Sequence, residues 1–374
     1  MIKIIRSIYR LLKYKAEWSK QFREVKIKRL QNESISKTNP LAEKIILFFI
    51  PGADYKSGKE HISGGLISIT SLTQETKALF GNSETLTLCS TFYDQHLLFK
   101  LTSFENSIEV LNPQIIENYF SNVKELILHI PEFYVTQFVE NQLNNSWINQ
   151  IDLVQINILN QNINLMPETE IVNTLKAKYS NTTITTAHKK YCNAFYQKKY
   201  AIPYHQLSVW ISPENYVKTE FDKKENLILF SPDNYELSKK LILKYSELLK
   251  QFKFQIIQSL SYEEYKKRIA TAKYLITTGE GLDAYFIESY FSGSVAFACR
   301  NKDFFDEKYL DLPCLFDVNE ELEIQLLKLI KAYDNEKDYR KLNEQVCNLL
   351  EEDYSYLNYK NNLQKFYNRA YSYA

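Results

Sequence analysis

The sequence predicts an α/β protein in which mostly parallel sheets, covered by helices on both faces, form two successive domains. Three observations carry that expectation. Short apolar runs of strand length alternate with longer segments at helical spacing. The alternation is interrupted between Met166 and Asp222, where threonine and asparagine clusters mix with aromatic-rich stretches at Tyr191–Tyr204 and Trp210, and then it resumes. A chain of 374 residues also exceeds what one ordinary small domain requires.

Taken in order, residues 1–40 are expected to form a basic amphipathic helix followed by a polar hinge at Asn32–Pro40. Residues 1–30 hold ten basic side chains against two acidic ones, although the whole chain is formally only +1. Ile4, Ile5, Ile8, Leu11 and Leu12 recur at helical spacing and give an apolar stripe flanked by cations. Such a segment suits an anionic membrane surface or a partner protein, and equally a solvated helix packed on its own domain. The first domain, residues 41–222, takes strands Lys44–Ile50, Thr85–Ser90, Glu125–Ile130 and Ile151–Leu159, with helices Leu66–Phe80 and Val135–Leu143. The second, residues 223–354, takes strands Asn226–Phe230, Phe254–Gln258, Tyr274–Thr277 and Val295–Ala298 between helices Leu237–Phe252, Tyr262–Ala272 and Ala284–Ser292. Helices Glu320–Ala332, Tyr339–Leu350 and Leu357–Tyr371 follow, and residues 355–374 are expected to pack back on the N-terminal domain.

Composition narrows the setting. A chain with 45% hydrophobic and 24% charged residues is that of a well-packed soluble protein. Five scattered cysteines without a CxxC pair or a Cys/His cluster point to a reduced, cytoplasmic compartment and to no metal site. No run approaches the roughly 20 apolar residues needed to cross a bilayer. Arg6, Arg10, Lys13 and Lys15 interrupt any signal-peptide core, so the N-terminus reads as retained. Nucleic acid is not expected as a partner, because no basic stripe interleaved with aromatics continues into the body of the chain.

The most informative segment runs from Tyr274 to Ala298 and reads strand, glycine-flanked loop, helix, strand. Gly279 and Gly281 bracket Glu280, where the missing Cβ atoms allow backbone to approach a ligand. Asp283 is a good N-cap and Gly293 a good residue just past the helix end. The helix start points N–H groups and partial positive charge at the loop, which suits a diphosphate. Glu288 lies about one turn in, within reach of ligand hydroxyls.

Glu280 and Glu288 stand in a Glu-x7-Glu spacing, and Gly-Glu-Gly followed by Glu-Ser-Tyr-Phe-Ser-Gly-Ser-Val-Ala resembles the retaining glycosyltransferases of the GT-B fold, family 4-like and of the bacterial surface-polysaccharide type. The resemblance implies two Rossmann-like domains facing across a cleft, with Glu280 beside the donor sugar and Glu288 on the nucleotide ribose. It implies a glycine-rich loop after the first strand, matched by Gly64-Gly65, and a cleft-facing catalytic histidine at a strand end. His129 is the candidate for that histidine, with His96, His188 and His205 behind it. The arginine that many relatives place after the first strand of the second domain is missing from Leu229–Lys240, which leaves Lys239 or Lys240 to neutralise the diphosphate. The implied reaction is retaining transfer of a sugar from a nucleotide-diphosphate sugar, with no further cofactor, to a glycan or lipid-linked glycan acceptor. With no DxD-like motif, transfer independent of metal is expected. Surface-glycan synthesis at the inner face of the membrane fits the basic N-terminus. A nucleotide-sugar epimerase of the same architecture and a catalytically inert scaffold are the alternatives.

Overall fold

The computed structural model describes residues 29, 31–52, 64–81, 84–93, 110–208, 216–258, 260, 262–319 and 321–374. Of the expected basic helix, all of residues 1–30 but Arg29 lies outside the described residues, as does His96; of the expected hinge at residues 32–40, residues up to 35 are helical and the rest are turns and coil. The described strands form two parallel sheets. The first contains β1 (Lys44–Ile50), β2 (Thr85–Thr91), β3 (Val110–Leu111), β4 (Glu125–Pro131), β5 (Leu153–Asn160), β6 (Asn181–Thr186) and β7 (Tyr204–Gln206), in the order β3-β2-β1-β4-β5-β6-β7. Its centre is β1, whose residues Ile45 to Ile50 are all buried and which pairs in parallel with β2 and β4. Helices α1 (Gly64–Phe80), α2 (Pro113–Tyr119), α3 (Val135–Gln142), α4 (Thr169–Lys178) and α5 (Ala194–Tyr200) alternate with these strands.

The segment that resists a pattern reading resolves into α4, β6, α5 and β7. β6 reads Asn-Thr-Thr-Ile-Thr-Thr, which carries no hydrophobic alternation, yet five of its six residues are buried. Hydrogen bonds make that burial tolerable. Asn157 donates from Nδ2 to Thr185 Oγ1 at 2.9 Å and accepts from Thr183 Oγ1 at 3.0 Å. A polar strand is thus stitched to its neighbour through side chains.

The second sheet contains β8 (Glu225–Phe230), β9 (Lys253–Ile256), β10 (Ala272–Thr277), β11 (Val295–Cys299) and β12 (Leu315–Phe316), in the order β12-β11-β10-β8-β9, and every pairing is parallel. Its helices are α6 (Tyr235–Leu248), α7 (Tyr262–Thr271), α8 (Ala284–Phe291), α9 (Leu322–Ala332) and α10 (Glu336–Tyr354). β10 and β11 are buried along their whole length, as central strands covered on both faces must be. The last helix, α11 (Tyr356–Tyr367), is tied to β7: His205 Nε2 lies 2.8 Å from Asn362 O, and Tyr204 pairs antiparallel with Tyr373. No helix among the described residues is long and apolar enough to cross a membrane.

One buried lysine amine, which burial pushes down to about 7, joins three element ends in the second sheet. Lys224, 8% exposed, donates to Ala270 O at 2.9 Å, Ser292 O at 3.0 Å and Ser294 Oγ at 2.8 Å. These acceptors lie at the ends of α7 and α8, where helix carbonyls lack intrahelical partners. Replacing Lys224 with Met leaves them buried without a donor and should lower unfolding free energy by about 2 kcal/mol in urea titrations. An unchanged midpoint would show that the amine contributes nothing there.

Candidate functional site

Each sheet reverses its winding once. In the first, the chain leaves β1 on one side through β2 and on the other through β4; in the second, β8 lies between β9 and β10. At such a reversal the loops following the two central strands diverge and leave a crevice at the carboxyl edge of the sheet. In the second sheet those loops are Ser231–Asn234 after β8 and Thr278–Asp283 after β10. The Glu280 loop therefore falls at the place where open α/β sheets bind ligands.

The loop is held by close approaches that only glycine permits. A Cβ on Gly279 would stand 2.7 Å from Asp233 Cγ, and one on Gly281 would stand 2.5 Å from Cys299 O and 2.6 Å from Phe305 Cε2. Gly281 also has φ +91°, a conformation L side chains rarely adopt. The two glycines thus serve contacts within the protein, where the sequence reading assigns them to ligand approach. Asp283 caps α8 as expected: Oδ1 accepts from Phe286 N at 2.9 Å and Oδ2 from Thr277 Oγ1 at 2.8 Å. Gly293 at φ +77° ends the helix.

The carboxyl groups around this loop form a connected set within one compact unit, which includes Pro131–Thr136 and Asn157–Ala374. Glu280 Oε1 accepts from Asn162 Nδ2 at 2.5 Å. Asn162 is itself fixed, because its Oδ1 accepts from Asn164 N at 2.9 Å and its own N–H donates to Glu132 Oε1 at 2.9 Å. Burial pushes Glu132 up to about 7, with the charge of Glu280 adding to the rise and backbone amides, Asn162 N–H among them, opposing it. Burial likewise raises Glu280, with Asp233 contributing and the Asn162 bond opposing. Asp283 rises to about 7 through burial and the charge of Asp233. Crowding carboxyls out of water favours their neutral forms.

Glu288 is 4% exposed on α8. Its Oε1 accepts from Tyr216 OH at 2.7 Å and Tyr262 OH at 3.0 Å, and the buried Tyr265 hydroxyl acts on the same carboxyl. Burial raises its carboxyl, opposed by the hydroxyls of Tyr216, Tyr265 and Tyr262. Glu132 is 3% exposed, and besides Asn162 N–H the backbone amides of Gln161 and of Glu132 itself act on its carboxyl.

The other sequence candidates have different surroundings. Gly64 and Gly65 are the first two residues of α1 and not a loop before it; a Cβ on Gly64 would meet nothing within 4 Å. His129 is 0% exposed within β4 and stacks on Phe48 at 4.1 Å, and burial pushes its imidazole down to about 3. That placement is one of core packing, and the expectation of a cleft-facing ring is not met. Lys239 lies over the Tyr235 ring and 3.6 Å from Glu236, and Lys240 pairs with Glu323 at 2.9 Å, both on the exposed side of α6. Burial pushes His188 down to about 4, and it packs edge-on to Phe304, while His205 anchors α11.

Sequence reasoning missed Glu132, Asn162, Asp233, Tyr216 and Tyr262. The first three follow the carboxyl ends of β4, β5 and β8, so position after a strand was the available signal. The tyrosines come together only in space.

Solved structures share this architecture. HepE from Anabaena, determined with UDP and glucose, superposes with a TM-score of 0.59 at 10% identity, over 87% of this chain and 100% of that one. TarM gives 0.58 at 10% identity, over 88% of this chain and 99% of that one. A glycosyltransferase from Rickettsia africae gives 0.54 at 12% identity, over 87% and 97%. No protein-family model matches the chain, and no curated protein matches its sequence. The fold is therefore α/β of the GT-B class, with two Rossmann-like parallel sheets.

The raised carboxyl of Glu132 has a consequence for stability. Its ordinary value is 4.5 and its folded value about 7, so between those limits the folded chain keeps a proton that the unfolded chain releases. Stability contributed by this group is therefore lost as pH rises through that window. Glu132→Gln cannot ionise, so its stability relative to the native chain should grow by roughly 2–3 kcal/mol between pH 4.5 and pH 7. Denaturant midpoints at several pH values measure this, and a constant difference would contradict it.

Proposed function

We propose that this chain is a glycosyltransferase that moves a sugar from a nucleotide-diphosphate sugar to an acceptor hydroxyl, with retention of configuration and without a metal ion. The observation that carries the reading is the place of the Glu280 loop: it follows β10 at the switch point of the second sheet and opens helix α8, which carries Glu288 among tyrosine hydroxyls. A ribose hydroxyl would exchange for one of those tyrosine hydroxyls on the Glu288 carboxyl. Glu280, oriented by Asn162, is then the group beside the donor sugar. As the bond to the diphosphate breaks, negative charge develops on the leaving oxygen, and the N-terminal amides of α8 are oriented to stabilise it. Glu280 and Glu288 act in this scheme by positioning the ligand, not as acid and base.

The acceptor we propose is a glycan or lipid-linked glycan of a bacterial surface polymer. The cations of residues 1–30 would hold the enzyme, peripherally and in the cytoplasm, at an anionic inner membrane face. A catalytically inert scaffold of the same fold is favoured by one observation. Asp233 stands after β8, where a cation for the diphosphate is expected, and Lys239 and Lys240 are engaged on the surface of α6.

Thermal shift with UDP, GDP, dTDP and CMP sugars separates the two readings, because a ligand that binds only the folded state raises the melting point. UDP-glucose leads the panel, since HepE was solved with it. At least one donor should raise the midpoint by several degrees at 100 times its Kd. Glu288→Ala should weaken that donor about tenfold, as loss of one hydrogen bond to a charged group does. No shift with any donor would leave the scaffold reading standing.

A further inference from the structure

Residues 370–374 are fastened to the edge of the first sheet through a histidine. After α11 the chain reverses at Arg369, whose φ of +58° is a left-handed conformation that arginine adopts only at a cost, and Ala370 N donates back to Lys365 O at 2.9 Å. The segment then runs beside β7, which ends the strand order of its sheet. Tyr204 N donates to Tyr373 O at 2.7 Å and Tyr373 N to Tyr204 O at 2.9 Å, while Gln197 Nε2 reaches Ala374 O at 3.2 Å. Beside these bonds sits His205, 1% exposed. Ser372 N donates to its Nδ1 at 3.2 Å, so that nitrogen carries no proton. Its Nε2 lies 2.8 Å from Asn362 O, which can only accept, so the ring proton is there. The ring is thus fixed as one neutral tautomer that joins β7, α11 and the tail.

We propose that His205 is an acid-sensitive latch: its neutral ring fastens residues 370–374 over the edge of β7, and a proton on Nδ1 releases them. Protonation turns Nδ1 from acceptor into donor and sets it against Ser372 N–H, which can only donate. The Ser372 hydroxyl, 3.2 Å from the same nitrogen, can turn to accept, but the backbone N–H cannot. Lys365 on α11 and Tyr371 in the tail face the ring, Cys192 ahead of α5 bonds Ser372, and β6 brings Thr185 opposite. Burial and the charge of Lys365 hold the docked ring below its ordinary 6.5, against the pull of the Asn362 carbonyl. The docked state therefore binds fewer protons than the released one, so the tail is fully held above 6.5 and loses its hold as pH falls below that value.

Hydrogen exchange of the full chain, read as protection factors between about pH 8 and about pH 5, tests the latch. Protection at the Tyr204, Ser372 and Tyr373 amides should fall about tenfold over that range, while amides of β5 stay protected. His205→Gln keeps a donor for Asn362 O and does not titrate in this range, so in that variant the fall should vanish. Ser372→Pro removes the donor to Nδ1 from a residue outside the sheet core, and Tyr204 and Tyr373 should lose protection already at the higher pH. Nitrogen NMR of labelled histidine should show a bare Nδ1 on His205 at the higher pH. Protection that is independent of pH in the native chain overturns the proposal. So does an equal fall in His205→Gln, a Ser372→Pro tail that stays protected, or a proton on Nδ1 at the higher pH.

Discussion

The loop between β10 and α8 can take only one course, because glycine is the only residue that fits where it runs. Gly279 lies against Asp233 of the β8 loop, and Gly281 lies against the Cys299 carbonyl and the Phe305 ring, so the segment is wedged between its neighbours on both sides. Cys299 Sγ adds a 3.0 Å contact to Gly279 O. Everything proposed for the site depends on that wedge. It sets where Glu280 emerges, where Asp283 caps α8, and therefore how far into the helix Glu288 falls. A side chain added at Gly281 would force the loop off Cys299 and move all three carboxyls together.

The same wedge concentrates acidity. The charge of Asp233 raises both Glu280 and Asp283, and Glu132 joins them through Asn162. Burial and like charge both favour the neutral acid, and among the described residues the group is held by hydrogen bonds such as those of Asn162. Asn162 meets the geometric need with three bonds, its backbone N–H, its Nδ2 and its Oδ1 each having a named partner. Tyr216 and Tyr262 do the equivalent for Glu288, fixing Oε1, with the Tyr265 hydroxyl also acting on the carboxyl.

Much of the fold was legible in the sequence because its strands are apolar runs of the right length. β1, β8, β10 and β11 and the Asp283 cap fall where pattern and capping rules put them. β6 was not legible, because its threonines are buried by bonding to Asn157, a tertiary effect that no periodicity records. Two-residue strands such as β3 and β12 are too short to carry a pattern. Within the site, the Glu280 and Glu288 pair could be read from local signals, a glycine pair and a cap. Glu132, Asn162 and the tyrosines are separated from that loop by long stretches of chain, and only folding brings them together. His129 looked functional because a histidine near a strand end invites that reading, whereas its ring completes a stack with Phe48.

The central claim is that the loop from Thr278 to Asp283, with the start of α8, receives a nucleotide sugar. Hydrogen exchange of the backbone amides, compared with and without a saturating nucleotide sugar chosen from the donor panel, tests it most directly. The account predicts slowed exchange at residues 278–287 and around Asn162, because a bound ligand would close both loops against solvent. Binding that protects other segments and leaves these amides unchanged would contradict it.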